Sequence, residues 1–313
     1  MPMHTHRRVF ALFLVLGFPA CSSSDLTQAN VGSPSNPNPS TGSDAGTVDS
    51  ASSDAAHDLG DAAAPPVDIT ASGPGPNEPS GFTAISSNPF DALPPDHPTV
   101  DSYGYTKFYG TTNLSIVSDS TAPASPSNLV RLLFPAGFGG GSAPNAFVAG
   151  QGFSVGGNKT RLYTRLHFRI SASWSDNGNT GTKFFFIDQT QGNNHYVDLT
   201  SGGSLQLGVN LQSDFGYATP SGANHFGPTL TKGVWHDAEL LFVANTPGTY
   251  NGVARIWVDG TKVLDATDIG YFASGQTAYW DQFWFAPTYG GGLNSVPADQ
   301  NVDIDHWYTS VAP

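Results

Sequence analysis

The chain has 313 residues, a formal net charge of −13, 12 Lys and Arg against 25 Asp and Glu, and a single cysteine. One cysteine excludes a disulfide framework within the chain, and the scarcity of cations excludes the basic field that nucleic acid needs. The charge is unevenly placed, because no Lys or Arg occurs between Arg8 and Lys107 while ten acids fall within residues 22–100.

In chain order, His4, His6, Arg7 and Arg8 precede an apolar run from Val9 to Phe18 that ends in Ala20 and Cys21. The run is too short to span a bilayer and reads as an export signal over residues 1–21. Residues GFPACSSS resemble a bacterial lipoprotein box followed by a Ser-rich tether, with Phe18 and Pro19 where such boxes carry Leu and a small residue. That resemblance implies lipidation of Cys21, and with it anchoring to the outer surface of a bacterial membrane, the outer membrane by preference, without a spanning helix. Without lipidation the product is secreted. An ordinary buried cysteine is the plainer alternative.

Residues 22–80 are rich in Ser, Ala, Asp, Pro, Asn and Gly and hold no aromatic residue. They cannot bury enough surface to offset their ordering entropy and read as a disordered acidic linker. From Gly81 to Pro313 the composition changes to one domain of ordinary size. Short alternating runs begin there: LSIVSD at 114, NLVRLLF at 128, RLYTRLHFRI at 161, TKFFFID at 182, HYVDLT at 195, SLQLGVNLQ at 204, VWHDAELLFVAN at 234, GVARIWVDG at 252, YWDQFWFAP at 279 and NVDIDHWYTSV at 301. Turn formers separate them and no helical period intervenes. The spacing predicts an all-β, two-sheet antiparallel sandwich.

Period two also assigns faces. In RLYTRLHFRI, Leu162, Thr164, Leu166, Phe168 and Ile170 point to the core, leaving Arg161, Tyr163, Arg165, His167 and Arg169 on the other side. In the strand at 235, His236, Ala238, Leu240, Phe242 and Ala244 alternate with Trp235, Asp237, Glu239, Leu241 and Val243. Asp259-Gly260 and NTPGTYNG at 245–252 are turn signals.

The segment GVWHDAELLFVANTPGTYNGVARIWVDGTKVL, residues 233–264, resembles the Gly-x-Trp-His strand and Trp-Val-Asp-Gly hairpin of the concanavalin A-like lectin/glucanase superfamily, which includes the laminin-G-like domains. Its NTPG and NG elements are most similar to jelly-roll polysaccharide lyases of the alginate and glucuronan lyase kind. The resemblance implies a jelly roll and a polysaccharide partner; the scaffold hosts binding modules, hydrolases and lyases alike.

Two carboxylates serve a glycosidase, but the Glu-x-Asp-x-x-Glu strand of such glucanases is absent and Glu239 is the only glutamate after Gly81. The pair Asp303 and Asp305 reads as a calcium ligand, a surface pair or a hydrogen-bonded edge before it reads as acid and base. A uronate lyase instead needs a group that neutralises the sugar carboxylate and a His or Tyr that moves protons. Tyr163, Arg165, His167 and Arg169 supply those types, about 6.5 to 7 Å apart along one strand face. They are the catalytic candidates: His167 or Tyr163 as base and acid, Arg165 or Arg169 on the carboxylate. Lys183, Gln189, His195, Tyr196, Arg255 and Trp257 are binding candidates from other strands, and Trp174 is a candidate sugar platform on a loop. The competing reading pairs the same arginines with acids on adjacent strands. Trp257, Trp280 and Trp284 likewise either stack on sugar rings or pack.

The histidines show no metal-ligand spacing, and the chemistry requires no cofactor. DNGN at 176–179 offers oxygen ligands for a structural calcium without the acid count of a calcium loop. GFGGGSAP at 137–144 lacks the Lys-Ser/Thr of a phosphate loop and reads as a flexible loop over a groove. The expected function is a monomeric surface lipoprotein that binds an extracellular, uronate-containing polysaccharide. Cleavage of such a polymer by β-elimination and a structural surface role are the alternatives.

Overall fold

The computed structural model describes residues 73–90, 107–109, 113–124, 128–139, 150–154, 158–175, 182–188, 194–199, 205–211, 224–280, 282–289 and 295–313. Among them the chain forms strands and turns, with no α-helix. The strands are β1 (Thr83–Asn88), β2 (Lys107–Tyr109), β3 (Leu114–Val117), β4 (Leu129–Phe134), β5 (Gly150–Ser154), β6 (Arg161–Ile170), β7 (Thr182–Asp188) and β8 (Asn194–Leu199). They continue with β9 (Gln206–Leu211), β10 (Asn224–Thr229), β11 (Trp235–Val243), β12 (Gly252–Val258), β13 (Thr261–Ile269), β14 (Gln282–Thr288) and β15 (Gln300–Ala312).

Two antiparallel sheets result. Sheet A runs β13-β12-β11-β6-β15-β4-β3, with β1 added beside the second half of β15; sheet B runs β10-β9-β8-β7-β14-β5-β2. This is the all-β, two-sheet antiparallel sandwich that the alternating runs predict, and the jelly roll that the resemblance at 233–264 implies. The apolar faces of the sheets meet in one core, to which β6 contributes Leu162, Leu166, Phe168 and Ile170 and β11 contributes Ala238, Leu240 and Phe242.

Local chemistry sets the register. Asp259 and Gly260 both take positive φ, 51° and 77°, in the two-residue turn between β12 and β13, the backbone that a tight hairpin needs. Asp259 also accepts from the backbone N–H of Asp237 and meets Nδ1 of His236 at 2.8 Å, so the turn is tied to β11.

Two bulges break the period-two pattern. In β15, His306 sits at φ 51° where the pairing shifts between Asp305 and Trp307. The extra residue turns Trp307 inward, after Val302 and Ile304, and sends Tyr308 outward. In β7 the register slips between Lys183 and Phe185. Phe184 and Phe185 therefore both enter the core, while Lys183 and Phe186 lie on the opposite face.

Candidate functional site

The Arg, Tyr and His row of β6 does lie on the non-core face of sheet A, but its middle is buried. Tyr163 is 0% exposed, His167 2% and Arg165 4%. β6 sits between two acid-bearing strands: Glu239 is opposite Arg165 and Asp237 opposite His167 on β11, while Asp303 is opposite Arg169 and Asp305 opposite His167 on β15. Arg165 donates Nε and Nη2 to the two carboxylate oxygens of Asp237 at 2.9 and 2.8 Å. Burial works against its charge, and the Asp237 contact more than offsets this, so the guanidinium is held above its ordinary pKa. Nδ1 of His167 is 3.6 Å from the same carboxylate. Arg169 bonds Asp303 at 2.7 Å, contacts Asp119, and lies 4.7 Å over the Trp235 ring. Arg131 completes the layer with a two-pronged bond to Asp303 at 2.7 and 2.9 Å.

These pairings leave Tyr163, Arg165 and His167 buried where the alternation of β6 predicts that they face solvent, while Arg169 keeps 17% of its side chain exposed. The cross-strand reading holds for Arg165 and Arg169, to which the neighbouring strands supply Asp237 and Asp303, while Arg161 donates to the Pro313 oxygen at 3.1 Å. Asp303 and Asp305 are buried members of this network, hydrogen-bonded as one of the sequence alternatives had it.

A second element closes the face. Residues 73–82, whose first eight residues belong by composition to the linker, lie across sheet A. The Tyr163 hydroxyl donates to Oε2 of Glu239 at 2.6 Å and accepts from the Gly75 N–H at 3.0 Å. Asn77 donates its backbone N–H and Nδ2 to the two Glu239 oxygens at 3.0 and 2.9 Å. Glu78 accepts from the hydroxyl of Tyr308 at 3.0 Å and contacts Ser310. Phe82 packs edge-on against Tyr163. Burial, and after it the Glu239 charge, holds the Tyr163 phenol well above its usual pKa. That is poor preparation for a proton shuttle at neutral pH. Gly75 permits the close approach: a Cβ there would lie 2.5 Å from the Tyr163 hydroxyl.

The other candidates separate. Arg255 pairs with Asp265 at 2.7 Å beside β13, and Trp257 packs against the small Tyr163, Leu241 and Tyr308 cluster, so both belong to the outer side of sheet A. Trp174 is 3% exposed, edge-on to Phe134 at 5.1 Å, and is core rather than a sugar platform. Trp280 is also core. His195 points inward against Tyr271, and burial lowers its pKa to about 4; it is a neutral packing residue and not a binding group. Cys21, Gln189, the DNGN stretch at 176–179 and residues 140–149 lie outside the described residues. Among the described residues no group of three or more His, Cys, Asp or Glu is placed to hold a metal ion.

What remains is the non-core face of sheet B, where Lys183 and Tyr196 do come together. Tyr196, only 8% exposed, alternates with the core residue Val197 on β8 and is paired with Phe186 of β7 and Asn210 of β9. Nζ of Lys183 stands 4.3 Å from the Tyr196 ring centroid and 5.7 Å from that of Phe186, a cation seated on two aromatic faces. Asp198 is directly opposite Lys183 in the ladder and only 3% exposed. Its Oδ2 accepts from Nδ2 of Asn210 at 3.1 Å, while Oδ1 has no hydrogen-bond partner among the described residues. Burial raises its pKa to about 7, against the lowering effects of the Asn210 bond and the Lys183 charge. A cation, two aromatic rings, an amide and a carboxyl that titrates near neutrality thus share one face. Sequence reasoning offered Lys183 and Tyr196 as binding candidates that could join the surface of the β6 row, whereas the structure sets them on the other sheet, and it did not single out Phe186, Asp198 or Asn210. The shared parity of Tyr196 and Asp198 in HYVDL was the available signal.

No family profile and no curated protein matches the chain. Among solved structures, an alginate lyase from Aplysia kurodai is 13% identical with a TM-score of 0.51, over 74% of this chain and all (100%) of that one. An alginate lyase from Chlorella virus is 17% identical with a TM-score of 0.44, over 64% of this chain and 94% of its own. An endo-β-1,4-glucuronan lyase from Trichoderma reesei is 13% identical with a TM-score of 0.44, over 74% and 96%. At these identities the likeness to the Aplysia protein establishes a shared jelly-roll fold.

Proposed function

We propose that this jelly roll binds an acidic, uronate-containing polysaccharide on the outer face of sheet B. The carrying observation is the seat of Lys183 on Tyr196 and Phe186 beside Asn210 and Asp198. Aromatic faces suit the C–H faces of sugar rings, and an ammonium held over them suits a uronate carboxylate. The fold shared with a lyase that acts on alginate supports a polymer of this class. Lys183→Ala and Tyr196→Ala should each weaken co-sedimentation with alginate or glucuronan at least tenfold; Lys183→Ala should leave the melting temperature within a few degrees, while Tyr196→Ala, which removes a side chain only 8% exposed, should lower it. Unaltered binding in both variants overturns the assignment.

One observation favours β-elimination as a second reading. A carboxyl with a pKa of about 7 stands beside a lysine and a tyrosine, the range in which proton transfer at neutral pH is efficient. In that reading Lys183 offsets the charge of the sugar carboxylate, and Tyr196, as the phenolate, takes the C5 proton and returns it to the glycosidic oxygen as the C4–O bond breaks and the C4–C5 double bond forms. Rising ultraviolet absorbance from an unsaturated uronate would distinguish cleavage from binding alone.

Export and anchoring complete the proposal: residues 1–21 act as the signal, Cys21 carries the lipid, and the acidic stretch after it holds the domain off a bacterial membrane. The support is the order of basic, apolar and small residues ending at Cys21. Cys21→Ser should release the protein from the membrane fraction. Retention of that variant contradicts the anchor.

A further inference from the structure

We propose that Asp198 is a positioning residue that makes capture of a uronate carboxylate on sheet B depend on a proton: ionised Asp198 weakens the pull of Lys183 on the polymer, and neutral Asp198 does not. This rests on the assignment of the sheet B face as the polysaccharide site.

The geometry carries the inference. Asp198 is too deeply buried, at 3% exposure, to meet a polymer itself. It lies under Lys183 as its direct cross-strand partner, and the ammonium is held at the face by the rings of Tyr196 and Phe186. The surroundings oppose a permanent charge on Asp198. Among the described residues, β9 offers it one amide bond from Asn210 and the side-chain-free Gly208 opposite, and Lys183 of β7 is the charged group that faces it. Oδ1 has no hydrogen-bond partner among the described residues, so a carboxylate charge there is stabilised by no donor. The midpoint near 7 places the change within ordinary pH. A uronate carboxylate is ionised throughout that range, so the charge that changes belongs to the protein. Removing one negative charge from beneath a binding cation strengthens anion capture, by about tenfold at the effective dielectric of a protein surface.

The test uses the full-length chain, with polyglucuronate as the probe and a neutral glucan as control, at about pH 5.5 and about pH 8.5 and constant ionic strength. Wild type should bind polyglucuronate about tenfold more tightly at the lower pH, and Asp198→Asn should bring that ratio close to one. A ratio near one in wild type, or an unchanged ratio in Asp198→Asn, overturns the proposal. If Asp198→Asn does not fold, Asn210→Leu decides: loss of the bond that favours the ionised carboxylate should move the midpoint of affinity to higher pH, and a fixed midpoint overturns the proposal. No binding to polyglucuronate at either pH, or full binding by Lys183→Ala at both, is a different failure, that of the site itself.

Discussion

Arg165 and Asp237 face one another across β6 and β11 with both carboxylate oxygens engaged, and neither side chain is more than 4% exposed. Removing one partner leaves a buried, uncompensated charge. Asp237→Ala should therefore cost about 3–5 kcal/mol, lowering the melting temperature by roughly 10 °C for a domain of this size. A change of a degree or two in a thermal melt would show that the pair is solvated and the face open.

The segment over sheet A predicts a second effect. Gly75→Ala places a methyl group 2.5 Å from the Tyr163 hydroxyl and closer still to Glu239, so residues 73–82 should lift and leave Glu239 without its Asn77 donors. The expected loss is about 1–3 kcal/mol, with faster proteolytic cleavage within that segment of the full-length chain. Wild-type cleavage rates would mean that the segment tolerates the methyl group in place.

Much of this was legible in the amino-acid sequence, and the failures have physical causes. The strands of the 233–264 segment and the inward faces of β6 and β11 follow from period-two alternation and from Asp259-Gly260. What alternation alone does not contain is strand order. Placing β6 between β11 and β15 turned a row that resembled a catalytic surface into the middle rung of an ion-pair ladder. The bulge at His306 then reversed the parity of β15, and the bulge after Lys183 put that residue beside Tyr196. Residues 73–80 were read from composition as linker, yet their contacts come from Gly75, Asn77 and Glu78 bonding to Tyr163, Glu239, Tyr308 and Ser310, polar partners that composition does not reveal.

Two buried groups should tilt stability in opposite directions with pH. His195 has a folded pKa of about 4 against 6.5 for the free side chain. Its neutral form is favoured on folding, so its contribution is complete above pH 6.5 and is lost as pH falls toward 4. Asp198 is raised from 3.8 to about 7; its contribution is complete below pH 3.8 and is lost as pH rises toward 7. Each amounts to about 3–4 kcal/mol at most. Denaturant melts between these limits should show that His195→Leu makes stability decline more steeply with rising pH than in wild type. Asp198→Asn should make it climb. Parallel profiles for wild type and both variants would contradict both assignments.

The most direct measurement of the central claim is hydrogen exchange on the full-length chain, with and without saturating polyglucuronate. Protection concentrated in β7, β8 and β9, around Lys183, Tyr196 and Asn210, is the predicted result. Protection of β6, β11 and the 73–82 segment, with β7 to β9 unchanged, would contradict it and return the polymer to the face of Arg165 and His167.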